Sequence, residues 1–206
     1  MKKITFIHIP KTGGTSLNKL FKRRGINIIN HNIRDKGFRY LKEISKNDDD
    51  EIRFCYVRNP YDRVVSAFFY LSKGGINRGD YEDALKFNIL KYQGDFESFV
   101  KYELYESSPI FEQMHFKEQY KWICDNNGNI LVDEILRFED FGNEILSFFK
   151  KNNLKVPFMW RLRGVPHKNS SKKDNYKTYY SEETKNIIAK VYETDFKLFY
   201  YSTEEL

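Results

Sequence analysis

Residues Lys3–Ile9, KITFIHI, are apolar at nearly every position, and Pro10 stops the run. A strand with one wet face alternates polar and apolar side chains, so continuous apolarity marks a strand buried on both faces of a parallel sheet. The segments that follow alternate in kind. Ser16–Arg24 sets Leu17, Leu20 and Phe21 at helical spacing and stops at Gly25; Ile26–Ile29 reads as a second strand, and residues 36–45 as a helix. Arg53–Val57, RFCYV, is a third strand. Asn59 then caps a helix with Pro60 at its first position and Asp62 in its first turn, running to Leu71. Residues 81–113 give weak signals, helical and loop-rich. Tyr120–Cys124 and Ile130–Val132 flank an Asn-rich turn and read as a hairpin. Glu134–Phe138 reads as a strand, 141–150 as a helix, 157–177 as a basic loop, and Glu182–Phe196 as a closing helix capped by Ser181. Strands alternating with helices predict an α/β domain with a mainly parallel sheet. No linker or repeat interrupts the 206 residues, so 1–206 reads as a single domain, and 17% aromatic residues suit a packed core.

The chemistry concentrates where the first strand ends. His8-Ile-Pro-Lys-Thr-Gly-Gly-Thr-Ser16 joins a strand to a helix. Gly13 and Gly14 let backbone close around an anion, and the next helix offers unpaired N–H groups at its positive end. Lys11 adds a charge, and Thr12, Thr15 and Ser16 add hydroxyls. This is a phosphate cradle but not a Walker A loop, which needs Lys after its last Gly; the chain contains no Gly-Lys dipeptide. A second feature closes the third strand. Arg58 falls at its carboxyl edge, where open α/β sheets bind ligands, and Ser66 follows two helical turns later. Together they can hold a second phosphate by a charged fork and a hydroxyl.

The two features, HIPKTGGTSL at 8–17 and RFCYVRNPYDRVVSAFFY at 53–70, resemble the sulfotransferases that use 3′-phosphoadenosine-5′-phosphosulfate (PAPS). The likeness is to the carbohydrate O-sulfotransferase branch, and within it to the uronosyl enzymes. His115-Phe-Lys-Glu-Gln119 is similar to the family's His-aromatic-x-Pro-Gln segment, with Glu118 in place of Pro. Residues 135–141, 166–170 and 194–200 resemble later blocks. The resemblance implies a P-loop nucleotide-kinase-like sulfotransferase fold. It implies PAPS as donor, 3′-phosphoadenosine-5′-phosphate (PAP) as product, no metal, and a carbohydrate or other hydroxyl acceptor. Lys11, Thr12, Gly13, Gly14, Thr15 and Ser16 would hold the 5′-phosphosulfate, Arg58 and Ser66 the 3′-phosphate, and Ser170 and Lys172 would close over the cofactor. Lys11 would also stabilise charge on the leaving oxygen.

A base is needed for the acceptor hydroxyl. His8 lies inside a strand and reads as a core residue, and His167 falls in the basic loop. His31 follows the second strand, between the two cofactor motifs, where the uronosyl relatives carry a His; His115 is its rival, as base or as acceptor-binding residue. Asp48-Asp-Asp50 precedes a strand and so sits at the wrong edge for a metal site.

A net charge of +6 (35 − 29) suits a polyanionic ligand without choosing among nucleic acid, nucleotide and sulfated sugar. A nucleotide-binding phosphotransferase is the alternative reading, which the missing Gly-Lys pair opposes. A nucleic-acid-binding protein is the third, and no motif for it is present. Two cysteines make neither a disulfide framework nor a four-ligand zinc site. No apolar run reaches membrane-spanning length, and the N-terminus lacks signal-peptide features. The expectation is a cytoplasmic enzyme with no transmembrane segment and no nucleic-acid partner.

Overall fold

The computed structural model describes residues 3–14, 17, 21, 27–30, 51–156, 175–204 and 206. Four strands form one parallel sheet: β1 (Lys3–His8), β2 (Asn27–Asn30), β3 (Glu51–Val57) and β4 (Glu134–Arg137), in the order β2-β1-β3-β4. Phe6 is in register with Ile28 on one side and Phe54 on the other. The α/β parallel sheet flanked by helices is the architecture the sequence predicts.

Among the described residues, the helices with defined bounds are α1 (Pro60–Leu71), α2 (Arg78–Lys86), α3 (Phe96–Glu103), α4 (Tyr120–Ile123), α5 (Phe141–Lys151), α6 (Glu182–Val191) and α7 (Glu193–Leu198). Contacts divide the chain into two compact units, residues 1–58 with 122–172 and residues 59–121 with 173–206. The first unit contains the sheet. Its core is aromatic: Phe54 stacks on Phe148 of α5 at 4.3 Å, and Phe21 meets Phe6 and Phe54 edge-on at 5.2 and 5.6 Å. Tyr56 stacks on Phe141 and donates its hydroxyl to the Phe141 carbonyl at 2.9 Å. At the amino edge of the sheet a buried carboxylate ties β1 to β3. Glu51 accepts from Thr5, from Lys3 Nζ at 3.0 Å and from Arg53 Nε at 3.0 Å. Burial alone would raise the Glu51 pKa; these partners outweigh it and hold the pKa below the usual range.

The second unit is helical, built on α1. Asn59 caps this helix by accepting the Tyr61 N–H at 3.0 Å, and Pro60 opens it, as the sequence predicts. Its core packs Phe68 against Phe96 and Phe99. Two expectations change. The strand expected at 120–124 is a helical turn, α4, and only Cys124 pairs in antiparallel fashion, with Ile130. The cause is distant in sequence: Asp195 accepts the N–H groups of Gln119 and Tyr120 at 2.8 and 2.9 Å, capping the turn. The closing helix divides at Tyr192, whose hydroxyl donates to the Phe116 carbonyl at 2.6 Å. The helix expected at 36–45 and residues 157–174 of the expected basic loop lie outside the described residues.

Candidate active site

The order β2-β1-β3-β4 fixes where a ligand should lie. The chain leaves β1 for one side of the sheet and crosses back to place β3 on the other, so the topological switch point falls between the carboxyl ends of β1 and β3. Arg58 follows β3 directly, and Lys11 lies three residues past the end of β1.

The loop after β1 is tightly built. Ile9 and Pro10 are buried, and Thr12, wholly buried, donates its hydroxyl to the Ile9 carbonyl at 2.8 Å. That bond closes the turn. Lys11 sits at φ 69°, a left-handed conformation that costs an L-residue about 1–2 kcal/mol. Gly13 follows at φ 81°, and a Cβ there would stand 2.8 Å from the Phe138 ring. Gly14 is helical. Its Cβ would stand 2.1 Å from the His8 ring, so the imidazole occupies the space a side chain would need. His8 itself is 3% exposed and stacked on Phe6, the core role expected of it.

Arg58 joins the two ends. Its Nη1 donates to the Lys11 carbonyl at 3.0 Å, and its guanidinium lies 4.4 Å above the Phe138 ring. Phe138, just past β4, therefore serves twice, as the wall beside Gly13 and as the platform for Arg58. Sequence reasoning passed over it; its place at the end of a strand on the ligand-binding edge was the available signal. Two glycines, a lysine and a supported guanidinium lie along this edge, an arrangement that can hold an anion.

Of the other sequence-predicted residues, Ser66 is buried on α1 in the second unit. His115 belongs to the second unit too, 5% exposed, held by Gln113 and packed against the Tyr70 ring. Thr15, Ser16, His31, His167, Ser170 and Lys172 lie outside the described residues. Among the described residues no group of three or more His, Cys, Asp or Glu is placed to hold a metal, and no helix is long and apolar enough to cross a membrane.

Compared with known proteins, residues 1–202 match the model of the sulfotransferase family. No curated protein and no solved structure matches the chain.

Proposed function

We propose that this chain, which belongs to the sulfotransferase family, moves a sulfuryl group from PAPS to a carbohydrate hydroxyl, as in the uronosyl branch whose motifs it resembles. The observation that supports this most is the Arg58–Lys11 hydrogen bond across the switch point. It sets a guanidinium and a lysine loop on one sheet edge, which is what a donor with two separate anionic clusters requires. The residues fit the group: a lysine stands in the loop after β1, and the Arg58 guanidinium is already oriented by the Lys11 carbonyl and the Phe138 ring.

When bound, PAPS supplies the sulfuryl group on a phosphate leaving group. The chain's own residues do the rest. The Gly13–Gly14 backbone and the helix start hold anionic oxygen, with Thr15 and Ser16 assigned beside them from the sequence. Lys11 places its charge where negative charge develops, an interaction worth more in the transition state than in the ground state. From the sequence, Arg58 and Ser66 are assigned to the 3′-phosphate, and Ser170 and Lys172 to the rest of the cofactor site. His31 is the proposed base for the acceptor hydroxyl. Cys55 and Cys124 are both buried thiols, which suits a reducing, cytoplasmic setting.

A thermal-shift series tests this reading. PAP in chelator at about a hundred times its dissociation constant should stabilise the protein by roughly 2.7 kcal/mol. ATP with magnesium should do far less. Stabilisation by ATP–magnesium alone would transfer the chain to phosphoryl chemistry.

A further inference from the structure

Gln113 is 1% exposed, and each of its polar groups is engaged. Its N–H donates to the Ile110 carbonyl, and its carbonyl accepts the N–H groups of Phe116 and Lys117, each at 3.0 Å. In the side chain, Oε1 accepts the His115 backbone N–H at 2.6 Å. A backbone N–H can only donate, so the amide atom it meets is the oxygen, and the amide has one allowed orientation. The amide nitrogen then faces Asp83 Oδ2 at 3.4 Å and His115 Nδ1 at 3.0 Å. An amide nitrogen donates and does not accept. Nδ1 therefore accepts and carries no proton, and the single proton of a neutral ring sits on Nε2.

We propose that the Asp83–Gln113–His115 chain holds His115 as a neutral imidazole protonated on Nε2, a ring that is not set to act as a general base. The one lone pair such a ring could use to take a proton is already engaged by Gln113. Gln113 is thus a positioning residue, acting through His115. The consequence for sulfuryl transfer rests on the function proposed above; the tautomer itself does not.

The test is nitrogen NMR on histidine-labelled protein at pH 8, well above the reference imidazole pKa of about 6.5. Both ring nitrogens of His115 are read, and the expected pattern has Nδ1 bare and Nε2 protonated. Gln113→Glu keeps an oxygen for the His115 N–H and sets a second, accepting oxygen against Nδ1, so the proton should move to Nδ1 and the pattern reverse. If repulsion from Asp83 prevents folding, the Asp83→Asn, Gln113→Glu double variant removes it and should show the same reversal. A proton on Nδ1 in the unmodified protein, or an unchanged pattern in the folded Glu variant, overturns the proposal. PAP binding measured on the same samples reports separately. Absence of binding would count against the sulfotransferase site while leaving the tautomer in place, and the wrong tautomer would leave nucleotide binding untouched.

Discussion

Lys11 and Gly14 stand three residues apart in one loop and are held to their identities by different forces. At φ 69° Lys11 carries backbone strain that glycine would not. Lys11→Gly should therefore leave unfolding stability unchanged or raise it by up to about 1 kcal/mol, strain relief being partly offset by glycine's entropy. It should also lower turnover by about 10²–10³-fold, as for loss of one oxyanion donor. Normal turnover with only a raised KM would make Lys11 a binding residue. At Gly14 the limit is space. Gly14→Ala should cost about 1–3 kcal/mol in urea unfolding through overlap with the His8 ring, and His8→Ala in the same chain should recover much of the loss. Equal losses in the single and double variants would mean that the ring is not the obstacle. The Lys-Thr-Gly-Gly run was legible in the sequence. The His8 contact was not, because it depends on where a strand residue points once the turn has closed.

Among the elements, the sheet edge and α1 were readable because their signals are local: continuous apolarity in β1, and an Asn-Pro start six positions past Arg53. The turn α4 was not, since its cap comes from Asp195 on α7, 75 positions along the chain from Tyr120. Burial pushes the Asp195 carboxyl up to about 6 from 3.8, against the pull of Arg63 and of the Gln119 and Tyr120 amides. The folded state binds the extra proton between those values, so this group's contribution to stability falls as pH rises from about 4 through about 6, by an amount of the order of 3 kcal/mol. Unfolding of Asp195→Asn, followed over the same pH range, should lack that fall while being less stable at every pH, because one amide loses its acceptor. Parallel pH profiles in the two proteins would contradict the assignment. Phe138 makes a comparable claim on the β4 side. Phe138→Leu should weaken PAP binding by about 0.5–2 kcal/mol through loss of the ring beneath Arg58.

For the molecule as a whole, the net charge of +6 and the α/β pattern were evident from composition and periodicity. The division into two units was not, because the chain enters the second unit at Asn59 without any change in composition, directly from the end of β3 into a well-capped helix. The central claim is that the edge formed by Lys11–Gly14 and Arg58 belongs to a site for a nucleotide carrying phosphate at both ends of its ribose. Calorimetric titration in chelator with PAP and with adenosine 5′-phosphate, which lacks the 3′-phosphate, tests it most directly. The protein should favour PAP by about 10- to 150-fold, the equivalent of roughly 1.5–3 kcal/mol for a charged hydrogen-bonded contact, and Arg58→Ala should erase that preference. Equal affinity for the two nucleotides, or a preference that survives Arg58→Ala intact, would contradict it.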